Sequence, residues 1–354
     1  MKKALALLLT AVLATTILVG CGSKEAAPAA EAAPAAAEAA APAADTAAPA
    51  EDSTAAAVDT NTVAIGAVVI ARDDLPEDEV YNIVSTIYEN KDAITQQHAK
   101  GGELDLNFAA SITSVPYHPG AAKYFKEKGI DVAAVKEGAG TGAARDLNFG
   151  TGGESGTYYA YGGVLATYIS GNTDTNITAL TSGGSQANIE DLIADNIQIG
   201  FTQSDVMAYA YNGERLFDAP IEGFSVVCSL YMEQVQIVTT DPSIKTVADL
   251  KGKNVSVGAS GSGTYFNALD CLDAYGMVED DINSVYQSFG DSAESLKDGK
   301  IDAAFIVAGA PTTAITDLAT AKPVYLVGFD KEYIDKLIAS SPYYSAFTIP
   351  AGTY

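Results

Sequence analysis

Short apolar runs alternate with amphipathic segments along most of the chain after residue 60. The β-branched run at 63–71 predicts a buried strand. Acids and a proline at 73–79 then precede apolar residues at 80, 81, 84, 87 and 88, whose spacing predicts a helix. Further strands are predicted at 146–149, 176–180, 197–201, 225–229, 234–239, 254–258, 303–307 and 323–327, and helices at 186–194, 265–275 and 292–297. This alternation favours an α/β fold with mostly parallel sheets.

A glycine-rich loop occurs twice, each time between a predicted strand and a predicted helix. Residues 149–159 have the sequence FGTGGESGTYY, and residues 257–266 have the sequence VGASGSGTYF. Such a loop exposes backbone N–H groups and hydroxyls at the positive end of a helix, where they can hold a carboxylate or phosphate without a cationic side chain. The matched pair predicts two lobes with an anion between them.

The loops do not match enzyme motifs with similar composition. Neither contains the lysine of a nucleotide-binding P-loop, and neither gives GxGxxG in register. Thr157 replaces the last glycine of a GxSxG nucleophile elbow, and only His98 and His118 are available as a base. An exported hydrolase is therefore the less favoured alternative, and no catalytic residue, cofactor or metal site is predicted. His118 precedes Pro119 and fits a structural turn better than a ligand contact.

Charge narrows the class of partner further. The 354 residues include 45 Asp plus Glu against 20 Lys plus Arg, a net charge of -25. This excess disfavours nucleic acid and anionic membrane surfaces. It does not exclude a small anion, because affinity depends on the few groups that line a pocket.

The first residues predict export. Lys2 and Lys3 precede an apolar run at 4–19, so residues 1–20 have the form of a secretory signal peptide. The sequence LVGC at 18–21 resembles a bacterial lipobox. That resemblance implies lipidation of Cys21 and an extracytoplasmic protein anchored to the membrane, and a chance cysteine after an ordinary signal is the alternative. Residues 21–60, rich in Ala, Pro and Glu, predict a solvated tether. Cys228 and Cys271 fit two separate buried thiols better than a disulfide.

Four segments of the body resemble a known family. They are LNFGTGGESGTYYAYGG, TSGGSQANIEDLIADNIQIGFTQSD, VADLKGKNVSVGASGSGTYFNALD and LKDGKIDAAFIVAGAPTTAI. They look like the TAXI family of solute receptors for TRAP transporters. The resemblance implies a two-lobed, type II periplasmic-binding-protein fold, a monomer without enzymatic activity, a small organic anion such as glutamate or 2-oxoglutarate in the cleft, and delivery to a TRAP membrane permease. A receptor for an ABC importer or for signalling stays open as the alternative.

The order of the segments differs from that family. The segments TVAIGAVVIARDDLPEDEVYNIVSTIYEN and VPYHPGAAKYFKEKGI resemble the family's C-terminal part, yet here they precede the first glycine loop. We interpret this order as a circular permutation, with a duplicated fragment as the alternative. The predicted domains are the displaced C-terminal part of lobe 1 at 62–137, a permutation linker at 138–144, lobe 1 at 145–235, lobe 2 at 236–324, and a return segment to lobe 1 at 325–354.

The motif match also implies a set of ligand-binding residues, drawn from the loops that follow the strands. Lobe 1 is expected to contribute Thr151, Gly152, Gly153, Ser155, Gly156, Thr157, Tyr158, Ser182, Gly183, Gly184, Ser185, Asn188, Gln203, Ser204 and Asp205. Lobe 2 is expected to contribute Ser260, Ser262, Gly263, Thr264, Gly309, Ala310 and Pro311. Ser182 and Thr264 are equally well explained as helix caps, and Asp205 as a partner for neighbouring N–H groups or for the amine of an amino acid.

Overall fold

The computed structural model of this protein describes residues 58–135 and 146–354. The predicted signal peptide, Cys21, the tether up to residue 57 and the predicted linker at 138–144 lie outside the described residues. Within the described ranges, no helix combines the length and the apolar character needed to cross a membrane.

Strands and helices alternate along the described chain. The strands are β1 (Thr60–Arg72), β2 (Asp146–Gly150), β3 (Asn176–Leu180), β4 (Ile199–Gln203), β5 (Phe224–Thr239), β6 (Asn254–Ser256), β7 (Asn283–Val285), β8 (Ala303–Ala308), β9 (Tyr325–Leu326) and β10 (Ser345–Ile349). The helices are α1 (Glu77–Glu89), α2 (Lys91–Gln97), α3 (Leu106–Ala109), α4 (Pro119–Glu127), α5 (Thr157–Asn172), α6 (Ser185–Ile193), α7 (Ser204–Asn212), α8 (Gly263–Ala274), α9 (Phe289–Lys297), α10 (Thr313–Ala321) and α11 (Lys331–Ser340). Short 3-10 helices occur at Ala99–Glu103, Val247–Leu250 and Glu279–Asp281.

The strands form one mixed sheet with the order β3-β2-β4-β1-β5-β8-β6-β7, in which β10 also pairs with β1 and β9 with β5. Strands β2, β3 and β4 are parallel to one another, and so are β6, β7 and β8. Strands β1 and β5 run antiparallel to each other and to their outer neighbours. The α/β class is therefore confirmed, and each half has the mostly parallel group of strands that was expected. The two long antiparallel strands β1 and β5 join these groups into one mixed sheet.

The hydrophobic core divides the body into two halves. One core cluster packs around β2–β4 and α1–α7 and defines the first half. Two clusters, one on each face of β6–β8, define the second half. Strands β1 and β5 belong to both, since Ile65 and Ile237 pack in the second half whereas Ile70 and Val226 pack in the first.

Some elements differ from the sequence expectation. The two strands expected at 225–229 and 234–239 are one continuous strand, β5, because the residues between them are also extended and buried. Strands β7 and β10 were not expected, since β7 has only 3 residues and β10 is largely exposed. The segment 325–354 differs from its expected place in lobe 1, because its buried side chains Val327, Phe329 and Leu337 pack in the second half.

The ends of the described body lie side by side. Thr60 of β1 pairs with Ile349 of β10, and the Ala351 N–H donates to Asp59 Oδ1 at 2.9 Å. The two cysteines lie in different core clusters, and both are buried and free of disulfide bonds. His118 is the N-cap of α4, where its Nδ1 accepts from the Gly120 N–H at 3.2 Å. It is a buried turn residue, and burial lowers its pKa to about 4.

Candidate functional site

One cavity lies where the N-terminal ends of five helices meet. It holds about 560 Å³ of atom-free space, part of it open to solvent. The N-cap residues of α5, α6 and α7 line it from the first half, and those of α8 and α9 line it from the second half. These residues are Gly156, Gly184, Gln203, Ser262 and Ser288. Each of these helices has nine or more residues, so each places the partial positive charge of its N-terminus at the cavity. First-turn N–H groups that no cap or neighbouring carbonyl already engages can donate to a ligand there.

The two matched glycine loops line this cavity together. Besides its N-cap residue Gly156, the first loop contributes Gly152, Gly153, Thr157 and Tyr158. Besides its N-cap residue Ser262, the second loop contributes Ala259, Gly263 and Thr264. In the second loop, Ser262 Oγ caps α8 by accepting from the Tyr265 N–H at 3.3 Å. The strand, glycine turn and helix therefore form the same kind of wall on both sides.

The first half supplies a further loop between β3 and α6. Ser182, Gly183 and Ser185 line the cavity from this loop. Ser182 Oγ accepts from the Gly184 N–H at 3.1 Å, and Ser185 Oγ accepts from the Gln203 N–H at 3.2 Å. These hydroxyls hold the starts of α6 and α7 next to each other.

The two halves are in direct contact around the cavity. The Thr157 hydroxyl donates to the carbonyl of Gly309 at 3.1 Å, and the Ala187 N–H donates to the carbonyl of Gly261 at 3.0 Å. A Cβ on Gly263 would overlap the Gln203 Oε1 atom across the cleft. The cavity is thus enclosed between two touching walls.

Glu233 is the single carboxylate in the cavity wall, and among the described lining residues there is no Lys, Arg, His or Cys. It lies in β5 with only 2% of its surface exposed. Its Oε2 accepts from the Tyr158 hydroxyl at 2.9 Å, and its Oε1 lies 3.5 Å from the Tyr231 hydroxyl. Tyr158 in turn stacks on Phe201, with ring centroids 4.5 Å apart.

Burial raises the pKa of Glu233 to about 8. The hydroxyl of Tyr158 and the amide of Gln203 oppose this by hydrogen bonding to the carboxylate, while the nearby charge of Asp205 raises the pKa and that of Lys100 lowers it. Lys100 is itself paired with Glu103 at 2.5 Å and lies over the Tyr231 ring. The carboxyl of Glu233 therefore takes up a proton near neutral pH unless a cation faces it.

Gln203 places a side-chain oxygen without a hydrogen-bond donor in the same wall. Its side chain is 2% exposed, and its Oε1 has no hydrogen-bond partner among the residues that the structure describes. A buried amide oxygen without a donor costs about 1–3 kcal/mol. The cavity wall thus combines backbone N–H donors with two side chains that accept.

Several residues expected to bind a ligand do not line the cavity. Thr151 bonds to the carbonyl of Leu180, and Asn188 donates to the carbonyls of Gly150, Thr151 and Phe201. Ser204 accepts from the Gly66 N–H. The others outside the lining are Ser155, Asp205, Ser260, Gly309, Ala310 and Pro311. Of these, Gly309 contacts Thr157 through its carbonyl, and Ser260 is exposed.

Asp205 is turned away from the cavity. Its Oδ1 accepts from the Val206 N–H at 2.7 Å, and its Oδ2 accepts from Asn267 at 2.9 Å. Burial raises its pKa to about 7, and the Val206 N–H opposes that rise. Of the two roles considered for it, the geometry shows the bond to a neighbouring N–H group, and Glu233 occupies the place facing the cavity.

Sequence reasoning missed six lining residues: Glu233, Ala259, Ser288, Phe289, Val307 and Ala308. Ala259 lies inside the second glycine loop, next to Ser260, which was expected to bind. Ser288 carried a signal that could have been read from the sequence, because serine is a preferred N-cap. In the structure it is the N-cap of α9, and its side chain accepts from the Asp291 N–H. Glu233 carried another signal, because it is the one charged residue of a strand that otherwise holds apolar and uncharged polar residues.

Comparisons with known proteins give one family and several solved structures. The model of the NMT1-like family matches residues 24–129 and 149–354. The alkanesulfonate-binding protein SsuA from Xanthomonas axonopodis pv. citri, bound to MOPS, is 20% identical at a TM-score of 0.36 and matches over 52% of this chain and 62% of its own. An ancestral arginine-binding protein bound to arginine is 17% identical at a TM-score of 0.37, over 52% of this chain and 78% of its own.

A protein described as a putative L-cystine ABC transporter from Listeria monocytogenes is 17% identical at a TM-score of 0.36, over 56% of this chain and 90% of its own. The match with the Xanthomonas SsuA protein covers 62% of that protein, so this chain spans less than two thirds of its length.

Proposed function

Because this chain belongs to the NMT1-like family of solute-binding proteins, we propose that it is an extracytoplasmic receptor that captures a small organic anion between its two halves. The observation that carries the proposal is the cavity at which five helix N-termini from both halves meet. Backbone N–H groups and helix dipoles stabilise a carboxylate or a similar oxyanion there without a cationic side chain. A net charge of -25 does not oppose this, because the wall itself is almost neutral.

The chemistry of the wall supports a receptor rather than an enzyme. The hydroxyls of Thr157, Ser185 and Ser262 line the cavity, but no described histidine, lysine or cysteine lies beside them to act as base or nucleophile. Glu233, the carboxylate in the wall, already accepts from Tyr158. A hydrolytic reaction needs a nucleophile paired with a base, whereas binding needs only the donors that are present.

The finer proposal is a TRAP-type receptor of the TAXI kind. It rests on the resemblance of the glycine loops, and it includes glutamate or 2-oxoglutarate as solute, a lipid anchor on Cys21 and a TRAP membrane permease as partner. A receptor for an ABC importer or for signalling is the second candidate. The neighbouring genes separate them, because a large membrane permease gene supports TRAP and an ATPase gene supports ABC.

A thermal-shift assay with a panel of small carboxylates tests receptor function. We expect L-glutamate or 2-oxoglutarate to raise the unfolding temperature, since a ligand that binds only the folded state stabilises it. Thr157→Val is expected to reduce that shift, because it removes the hydroxyl that lines the cavity and bonds to Gly309 across the cleft. Thr167→Val is the matched control, because Thr167 is exposed on the same helix. The absence of a shift with every carboxylate of the panel would contradict the proposal.

A further inference from the structure

The cavity has two chemically opposite sides. The starts of α5, α6, α8 and α9 present N–H donors and partial positive charge. Glu233 and the Oε1 atom of Gln203 present acceptors, and both side chains are 2% exposed. An oxyanion satisfies the first side but adds an acceptor to the second, where acceptors are already in excess.

The acceptor side has few donors of its own. Glu233 accepts from the hydroxyl of Tyr158 and from the side-chain amide of Gln203, and the Tyr231 hydroxyl lies at the limit of hydrogen-bond distance from it. The nearest cation that affects it, Lys100, is paired with Glu103 and does not line the cavity. Asp205, on the helix that follows Gln203, adds negative charge. The groups around Glu233 therefore leave a place for a positively charged donor from the solute.

We propose that the cavity selects solutes in which a protonated amine accompanies the oxyanion, with Glu233 and Gln203 accepting from the amine while the helix N-termini hold the oxyanion. The inference deepens the proposed receptor function and rests on it. An ammonium group has three N–H donors and a full positive charge, so it meets both the unpartnered amide oxygen and the buried carboxylate. The oxyanion is a carboxylate in an amino acid or a sulfonate in an aminosulfonate.

Binding of an amine beside Glu233 is expected to change the protonation of this carboxyl group. In the absence of a cation, burial holds the pKa of Glu233 at about 8, so the carboxyl is largely protonated at pH 7. An ammonium group beside it favours the charged form and lowers the pKa. Binding of an amine-bearing solute at pH 7 therefore releases about one proton from Glu233, whereas a solute without the amine releases none from it.

The experiment compares matched pairs that differ in the amine. The pairs are L-glutamate with 2-oxoglutarate, L-alanine with pyruvate, and taurine with ethanesulfonate, titrated into the full chain by calorimetry at pH 7. Each titration is repeated in Bis-Tris and in Tris, neither of which carries an oxyanion and whose ionisation enthalpies differ, so the difference in heat counts the protons released. We expect the amine-bearing member of at least one pair to bind about tenfold or more tightly than its partner and to release about one proton. The carboxylate and sulfonate pairs distinguish the two oxyanions.

Glu233→Gln tests the assigned residue. We expect this variant to lose the preference for the amine and the proton release, while the affinity for the amine-free member stays within about threefold. Glu233→Asp, which keeps the charge, is expected to retain part of both effects. Glu190→Gln is the matched control, because Glu190 is exposed on α6, a helix that lines the cavity, and is expected to behave as the unchanged protein. Thermal unfolding of each variant checks that it is folded.

The outcomes separate this inference from the receptor function. Equal binding of both members of every pair that binds would overturn the inference and leave the receptor function standing. An amine preference that survives Glu233→Gln would overturn the role of Glu233. Failure of every member of every pair to bind the unchanged protein would count against the receptor function itself and against the inference with it. The proton count in the unchanged protein needs no variant, so it tests the inference even if Glu233→Gln does not fold.

Discussion

At the scale of single residues, Gly263 shows how closely the halves approach. It is the first residue of α8 in the second half, and a Cβ there would overlap Gln203 Oε1 and lie 2.7 Å from Ser185 Oγ. Both of those atoms belong to the first half. Its backbone has an ordinary φ, so the close approach of the opposite wall, rather than the backbone conformation, disfavours a larger residue here.

We expect Gly263→Ala to hold the walls apart and to weaken solute binding by about tenfold or more, because the added methyl group meets two buried side chains. The measurement is calorimetric titration with the solute that gives the largest thermal shift. Gly163→Ala is the control, because a Cβ at Gly163 on α5 meets nothing within 4 Å. An affinity for Gly263→Ala equal to that of the control would show that the walls do not need this close contact.

The residues of the site were predictable to different degrees. The two glycine loops were visible in the sequence because a repeated strand, turn and helix pattern needs only local information. Glu233 stands out as the one charged residue of β5, but it could not be assigned to the site, because the sequence gives no sign of which side chains surround it. Its partners Tyr158 and Gln203 come from 75 and 30 residues earlier in the chain, so only the fold places them beside it.

At the scale of elements, the side chain of Asn188 ties α6 to the sheet by hydrogen bonds. Asn188 Nδ2 lies 2.8 Å from the carbonyls of Thr151 and Phe201 and 3.2 Å from that of Gly150, so it connects α6 with the ends of β2 and β4. Asn188 was expected to bind the solute, yet it lies behind the cavity wall and is fully buried. Its amide supports the helix whose N-terminus faces the cavity.

We expect Asn188→Ala to lower the free energy of unfolding by about 2–3 kcal/mol, because it removes a buried donor that serves several carbonyls and leaves a small cavity. Urea denaturation measures this change. Gln186→Ala on the same helix removes an exposed bond to Glu190 and is expected to cost less than about 0.5 kcal/mol. Equal losses in the two variants would show that Asn188 does not anchor the helix.

The elements themselves were largely predictable where hydrophobic periodicity is strong. Helix α1 and strands β1 to β4 were expected within a few residues of their observed bounds. Strand β10 was missed because most of its side chains are exposed and it is held by pairing with β1, a partner almost 300 residues away in sequence. The sequence predicted two strands where the structure has the single strand β5, because hydrophobic periodicity does not show that a strand passes from one core to another.

At the scale of the whole molecule, the adjacent ends of the body agree with the proposed circular permutation. Asp59 and Ala351 are hydrogen-bonded to each other, as is expected of positions that were neighbours in the chain before a permutation. The proposed linker at 138–144 lies outside the described residues and between the two stretches that match the family. The permutation itself stays a prediction.

Cleavage within 138–144 tests whether the linker is dispensable. A specific protease site inserted there is expected to give two fragments that remain associated and still bind solute. The physical reason is that β1, in the first fragment, is hydrogen-bonded on both sides to β4 and β5 in the second. Size-exclusion chromatography and the thermal-shift assay measure the two properties against the uncut protein. Separation or precipitation of the fragments would indicate that the linker holds the fold together.

The pairing of β1 with β5 has a consequence for how such a molecule moves. The two strands bond to each other from Ala64 to Arg72 and carry two register shifts in that stretch. Both strands pass from one core to the other in the middle of the sheet, so a rotation of one half against the other would twist them. The β-bulges favour this, because they increase local twist. A joint built in this way can turn by a change of strand twist while the hydrogen bonds between β1 and β5 stay in place.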